Sequence, residues 1–545
     1  MQEPKWYIAV ALSFASAFML LLSYPTYNIN ILGFFALAPI FFLVYTTNTT
    51  RTIGYGILAA FPFYCLYLFW MNAYLPVIGV AFVTVVFGGY FVIALIFINI
   101  LARALPKYRA AITPFIWISI EYIRSFGFLS FTFGSIGYTQ HNFLRFIQIA
   151  DIGGEPLVSF VLVLFNACLA DFLLHLGSKR HEPGLSLRRA IPIIVSAGLI
   201  VASLVYGTVR LNEPISNEKK MKLVLVQALS SPRTEWKREK WGALKRLIDT
   251  SRQSFEENKG IDLIVWTETA IRTSLRPNLI HGTSYHTKIQ KFVQDLNTSF
   301  IIGSPDNFHR GKDTATNVEN LTKIYPTKGD EEVWTNSAYF LDANGEIISK
   351  YDKIMLTPFG EHFPIGKRLR FLQRILDKFT DSAGFTPGTE YTVFEHEKMK
   401  FSVVICWEGT YGYFIRKFVL NGADFIVNIS NDMWTKTRAG HFQHFSMTKF
   451  RAVENRIWYA RAANDGVTAF INPHGKVVNI LPIKEVGYIT GEVGNRIRPT
   501  FYTKNGDVLP KTSLFIFGLS FIFSVTVLAR KPLGKEKGRP EKKRR

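Results

Sequence analysis

The sequence predicts a polytopic α-helical membrane bundle joined to one α/β domain, and three observations predict it. Apolar runs of spanning length crowd the first 207 residues and recur at 512–529. Between them, 208–511 alternates short β-branched runs with amphipathic helical stretches. Basic residues collect in loops and a tail that fall on one side of the membrane if every run spans. Of the 545 residues 48% are hydrophobic and 47 are Phe, yet 19% are charged, and the two kinds occupy different parts of the chain.

The apolar runs lie at 6–24, 29–45, 53–71, 77–101, 110–123, 157–176, 190–207 and 512–529. A helix needs about 20 mostly apolar residues to cross a bilayer, where no water can pair with its backbone. Most of these runs have that length; 29–45 and 110–123 are short. Pro62, Pro76 and Pro114 are compatible with helices in lipid. The first run lacks a small-residue cleavage site and is followed by further spans, so it reads as a span and not as a secretory signal.

Lys and Arg set orientation. The tail after 529 holds Arg530, Lys531, Lys535, Lys537 and five more basic residues against Glu536 and Glu541. Arg51, then Arg103, Lys107 and Arg109, then Lys179, Arg180, Arg188 and Arg189 mark three further basic loops. Eight spans with an inside amino terminus put all four groups in the cytoplasm; Arg124 and Arg145 are mild exceptions. The expected organisation is a membrane domain at 1–207 with about seven helices, an extracytoplasmic domain at 208–511, a last helix at 512–529 and a basic tail at 530–545. The net charge of +22 is explained by these groups, which orient spans and meet anionic lipid; nucleic acid is not an expected partner.

Within the outer domain, strands are expected at 222–228, 262–268, 300–304, 337–342, 346–351, 401–406, 424–430 and 467–472. Helices are expected at 236–257, 284–296, 412–420 and 441–459, an alternation that favours an α/β domain. Cys65 and Cys168 fall in spans as small apolar residues, whereas Cys406 is alone in the outer domain. A lone thiol at the carboxyl end of a buried strand, FSVVIC (401–406), is a candidate nucleophile. Glu268 closes DLIVWTE and Lys353 follows the strand at 346–351. Thiol chemistry needs a base and an oxyanion stabiliser, roles that a carboxylate and an ammonium can fill.

The segments VWTETA (265–270), KYDKIMLTPFGEHFP (350–364) and VVICWEG (403–409) resemble the Glu, Lys and Cys motifs of the nitrilase superfamily. Spans on both sides of such a domain resemble its membrane-embedded branch, the apolipoprotein N-acyltransferases. IEYIRS (120–125), GSIGYTQHNFLRFIQIADIGG (134–154), NISNDMWTKTRAGHFQHFSMTKFRAVENR (428–456) and ANDGVTAFINPHG (463–475) resemble that family too. The resemblance implies a nitrilase-type αββα sandwich and a two-step transfer with Cys406 as nucleophile, Glu268 as general base and Lys353 as oxyanion stabiliser. Glu361 would support the site, and Trp407 and Glu408 would shape its wall. It further implies a phospholipid acyl donor, a diacylated apolipoprotein acceptor, a lipid bilayer as setting and no cofactor. The enzyme would work as a monomer in the bacterial inner membrane, its catalytic domain on the periplasmic side. Thr267, Trp407 and the pair Thr435-Lys436 depart from the family pattern without removing a catalytic group.

KRLRFLQRILDKF (367–379) places Leu369, Leu372, Ile375, Leu376 and Phe379 at helical spacing among basic residues, a pattern suited to a membrane surface or to packing on the domain. His362, His441 and His444 have no companions at metal-ligand spacing, so no metal is expected. Two rival functions share these features: a membrane-anchored amidase, whose acceptor is water, and a transporter with an inactive nitrilase domain. The scarcity of intramembrane charges, Glu121 apart, argues against transport.

Overall fold

The computed structural model describes residues 3–73, 75–127, 130–176, 187–215, 218–229, 233–275, 284–309, 332–358, 360–361, 384–496 and 498–529. The basic stretch 367–379, His362 and the tail 530–545 lie outside the described residues.

The amino-terminal part is a helical bundle. Its main helices are α1 (Trp6–Ser23), α2 (Ala38–Thr46), α3 (Thr49–Tyr67), α4 (Val77–Ala104), α5 (Arg109–Arg124), α6 (Glu155–Leu176) and α7 (Leu187–Asn212). Among the described residues, five helical stretches are long and apolar enough to cross a membrane: Trp6–Ser23, Val77–Ala104, Glu155–Leu176, Arg189–Asn212 and Val508–Thr526. Three expected spans depart from that standard. The run 29–45 divides into a 3₁₀ turn at Asn30–Phe34 and α2, with Pro39 in the first turn of α2, where its missing N–H costs nothing. The run 53–71 ends as a helix at Tyr67, and its amino end reaches back to polar Thr49, capped by the Asn48 side chain on Arg51 N–H. The run 110–123 becomes α5, 16 residues that hold Arg109, Glu121 and Arg124.

Two six-stranded sheets form the second part. The strands are β1 (Lys220–Gln227), β2 (Leu263–Val265), β3 (Ser299–His309), β4 (Glu332–Leu341), β5 (Ile347–Asp352), β6 (Phe394–Glu395), β7 (Lys400–Ile405), β8 (Phe425–Ser430), β9 (Trp458–Ala463), β10 (Thr468–Ile471), β11 (Val477–Leu481) and β12 (Gly487–Gly494). Their order is β12-β1-β2-β3-β4-β5 in one sheet and β11-β10-β9-β8-β7-β6 in the other. In each, three neighbouring strands are parallel (β1-β2-β3 and β7-β8-β9) and antiparallel strands complete both edges. The same pattern twice over is a pair of packed half-sandwiches. Side chains divide by the period-two rule of a strand. From β1, Val224 and Val226 pack with Leu244, Leu247, Ile289 and Phe292 of the helices α8 (Arg233–Glu257) and α9 (Ser284–Leu296), while Leu223 and Leu225 join the core shared with the other sheet. Both faces are covered, which is why the central strands read as continuous apolar runs. The outer layer of the second sheet is α10 (Gly412–Leu420) and α11 (Arg438–Asn455). The chain then ends in the apolar helix α12 (Val508–Ala529).

Four strands were not legible in the sequence: β6, β9, β11 and β12. The helix expected at 441–459 stops at Asn455 because Arg456 takes a left-handed conformation (φ 51°), and β9 begins two residues later. Its sequence WYARAA has little β-branching; it is a strand because β8 and β10 pair with it on either side. β12 contains three glycines, of which Gly491 admits the Phe470 ring where a Cβ would lie 2.7 Å from it.

The second sheet and α11 sit on the bundle, and their core is continuous with it. Trp70 Nε1 donates to Gln443 Oε1 at 2.7 Å, and Gln443 Nε2 donates to Tyr67 O at 3.1 Å. Arg456 pairs with Asp151 at 2.8 Å, and Lys449 Nζ donates to Asn142 Oδ1 at 2.8 Å.

Candidate active site

β2 breaks off after three residues, and Trp266 and Thr267 carry the chain on to Glu268 at the strand's carboxyl end. The route is tight: a Cβ on Gly303 of β3 would lie 2.3 Å from Thr267 O and 2.8 Å from Glu268 Cα, so only glycine fits there. Lys353 follows β5, its N–H donating to Asn336 O at 2.8 Å. Cys406 follows β7 and opens a 3₁₀ turn, Cys406–Thr410, with φ 53°. That conformation costs a non-glycine residue on the order of 1–3 kcal/mol and is characteristic of functional sites.

Three charged side chains meet in the buried space between these ends. Lys353 Nζ lies 3.4 Å from Glu268 Oε1 and 2.8 Å from Glu361 Oε2. Asn336 Nδ2 donates to both carboxylates, at 2.8 Å to Glu268 and 2.6 Å to Glu361. The remaining oxygen of Glu268 accepts from Asn431 N–H at 2.7 Å, and Glu361 accepts from Thr357 N–H at 2.8 Å. Burial pushes the Glu268 carboxyl above its ordinary range, and Lys353 only partly offsets this. Burial works on Glu361 too, but the ammonium and three hydrogen bonds prevail and hold it low. Burial works against the Lys353 charge, but Glu361 and Glu268 outweigh it and hold the ammonium's pKa above its ordinary value. The Cys406 thiol, 4% exposed, is raised first by burial and then by Glu268, against the pull of Lys353. A thiol in this setting rests protonated and needs a base at the moment of attack. Lys350, three residues before Lys353, is occupied elsewhere, in ion pairs with Asp306 and with Asp352 (3.1 Å).

Glu408 and Trp407 stand beside Cys406 in distinct surroundings. Glu408 is fully buried, and one oxygen accepts from Tyr351 Oη (2.7 Å), Ile354 N–H (2.8 Å) and Met355 N–H (3.0 Å) while the other accepts from Ile405 N–H (2.8 Å). It clamps the segment carrying Lys353 to the end of the strand that leads into Cys406, and its carboxylate faces inward. The Trp407 indole packs on the bundle side, 5.4 Å from Phe131 and stacked at 5.4 Å on Phe133.

Residues 16–168 match the family described as apolipoprotein N-acyltransferase N-terminal domain, and 222–502 match carbon-nitrogen hydrolase. Apolipoprotein N-acyltransferase 2 of Treponema denticola is 32% identical over 443 residues, covering 77% of this chain and 79% of its own. The chain belongs to the apolipoprotein N-acyltransferase family. Another family member, apolipoprotein N-acyltransferase 1 of the same organism, is 28% identical over 94% of this chain and 95% of its own. An amidase from Nesterenkonia sp. covers 54% of this chain and 95% of its own at 16% identity and a TM-score of 0.34.

Several residues of this family member's site were not singled out in the sequence. Asn336 is one polar residue within β4, and its only signal is the break that Thr335-Asn336-Ser337 makes in an apolar strand. Asn431 acts through its backbone, which leaves no trace in sequence. A further group lies around Cys406: atoms of Cys406, Asp432 and His444 fall within 4.8 Å of one another. His444 Nδ1 is 3.0 Å from Asp432 Oδ1, and Arg461 Nη2 is 2.7 Å from Asp432 Oδ2. The Arg461 guanidinium supplies the positive charge that a metal ion would bring, so this donor set forms an ion-pair network and does not fit a metal.

Proposed function

We propose that this enzyme moves an acyl chain from a phospholipid to the α-amine of a diacylglyceryl-cysteine at the start of an apolipoprotein, by way of a thioester on Cys406. Glu268 takes the thiol proton as sulfur attacks the ester carbonyl. The S–C bond forms, the C–O bond to the glycerol breaks, and the proton passes to the departing lysophospholipid. In the second half the free amine attacks the thioester, the C–N bond forms, the S–C bond breaks, and Glu268 carries the amine proton back to sulfur. Lys353 faces negative charge on the carbonyl oxygen in both tetrahedral intermediates. Glu361 and Glu408 are positioning residues in this scheme, and Trp407 braces the nucleophile turn on the bundle. The single observation that carries the reading is the Lys353 ammonium held between Glu268 and Glu361 beside a buried thiol.

The bundle offers a bilayer setting, and the distribution of Lys and Arg favours a catalytic domain outside the cytoplasm, on the periplasmic face of a bacterial inner membrane. The division into a membrane domain at 1–207, a catalytic domain at 208–511 and a last span at 512–529 belongs to this proposal, as do the phospholipid donor and a monomeric enzyme.

Intact-protein mass spectrometry tests it. Incubation with phosphatidylethanolamine micelles should add one acyl mass to the protein, and a diacylated lipopeptide with a free amine should remove it as the triacylated product. Rapid loss of the adduct to water alone, with no lipopeptide product, would make the enzyme an amidase-like hydrolase instead.

A further inference from the structure

The turn that carries Cys406 is held from behind by a buried ion pair that also grips the membrane bundle. Arg451 Nη1 donates to Thr410 O, the last carbonyl of the turn, at 2.8 Å, and Arg451 Nη2 donates to Glu454 Oε1 at 2.8 Å. That same Glu454 oxygen accepts from the backbone N–H of Glu155, the first residue of bundle helix α6, at 2.9 Å. A carboxylate of the catalytic domain thus caps a helix of the bundle, the end where negative charge is favoured. Arg451 and Glu454 are each 1% exposed, in the wall of a cavity of about 60 Å³ between the two parts.

A second observation concerns Gly412, two residues past the turn. A Cβ there would lie 2.9 Å from Arg451 Nη1, 2.9 Å from Glu454 Oε2 and 2.8 Å from Tyr502 Oη. The guanidinium reaches the Thr410 carbonyl through space that only glycine leaves open. The bundle supports the turn at another point as well: Tyr411 Oη accepts from Trp407 Nε1 at 2.6 Å and donates to Ser130 O at 2.9 Å.

We infer that Arg451 and Glu454 are positioning residues for the nucleophile, transmitting the seating of the catalytic domain on α6 to the Cys406–Thr410 turn. The bundle then does more than anchor: the geometry of attack depends on it. This rests on Cys406 being the nucleophile. The left-handed Cys406 is held in place by its surroundings, and a shift near 1 Å in such a site can cost about 100-fold in rate.

The test uses the full chain in detergent with phosphatidylethanolamine micelles, following the acyl adduct in single turnover and the alkylation of Cys406 by iodoacetamide, resolved by peptide. R451M should lower the acylation rate by up to about 100-fold, R451K should recover part of it, and the lipid concentration for half-maximal rate should stay unchanged. G412A, which removes no charge, should slow acylation and alter the alkylation rate at an unchanged melting temperature. Normal acylation by R451M and G412A, with C406A forming no adduct, would overturn the inference and leave the nucleophile intact. An adduct on C406A would instead remove the nucleophile assignment and this inference with it.

Discussion

Lys353 sits closer to Glu361, at 2.8 Å, than to Glu268, at 3.4 Å. The asymmetry divides the labour of two carboxylates that share one ammonium and one Asn336 amide. Glu361 takes the stronger contact and stays ionised as the lysine's anchor, whereas Glu268 keeps a raised pKa and so remains a competent proton acceptor.

Glu361→Gln therefore acts on catalysis through its neighbours. With its anchor gone, Lys353 turns to Glu268, and the repulsion between the two carboxylates disappears as well. Both changes lower the Glu268 pKa and weaken it as a base. Single-turnover acylation should slow on the order of 10- to 100-fold, and the acid limb of its pH profile should move to lower pH. An unchanged limb would mean that Glu361 does not tune Glu268.

In the unaltered enzyme the same limb should lie above the ordinary carboxylate range. In the proposed mechanism Glu268 must be ionised to take the proton, and burial raises its pKa, so the rate should climb with pH through that raised value. Glu268→Gln should abolish the limb along with most of the activity. A limb that survives the substitution would assign it to another group.

Gly303→Ala is a test of geometry without any change in charge. The added methyl group meets Thr267 O and Glu268 Cα, both backbone, which cannot rotate away. Displacing Glu268 should cost up to about 100-fold in acylation. Wild-type rates would show that the Glu268 segment has room to move.

Asp432→Asn probes stability. Asp432 and Arg461 are both fully buried, and removing the carboxylate strands the guanidinium, at a cost of about 3–5 kcal/mol. Burial alone would raise the Asp432 pKa, but Arg461 holds it well below the usual value. A group depressed on folding contributes its full stability above the unfolded carboxylate range and loses it as pH falls toward the depressed value. Thermal melts should show this acid-side loss in the wild type and a flatter acid dependence in Asp432→Asn.

Orientation is checked by cysteine labelling in spheroplasts. An impermeant maleimide should reach a cysteine placed at exposed Glu397 from outside and one at Lys537 only after lysis. Labelling of both from one side would refute the proposed topology.

Much of this enzyme could be read from its sequence, because local patterns carry it. Apolar length marked the bundle, short apolar runs rich in β-branched residues marked β1, β7 and β8, and α9 and α10 match their expected bounds. Glu268, Lys353 and Cys406 each stand just past a strand, so reading the strands located the three residues. Propensity misjudged what partners decide: β9 and β12 are strands through pairing, and the run 29–45 breaks where a 3₁₀ turn intervenes.

Tertiary structure alone decided how these residues meet. Nothing local to Asn431 or Gly303 marks them, and Asn336 shows only as a polar break in β4, because each acts on an element far away in the chain. The hydrogen bonds that Glu408 accepts from Tyr351, Ile354 and Met355 exist only once the fold brings them within reach of its carboxylate. The pKa directions that separate Glu268 from Glu361 come from burial and distance, quantities that exist only when the chain is folded. Residue types fixed which chemistry was available; packing two sheets against each other and onto a bundle decided which atoms would perform it.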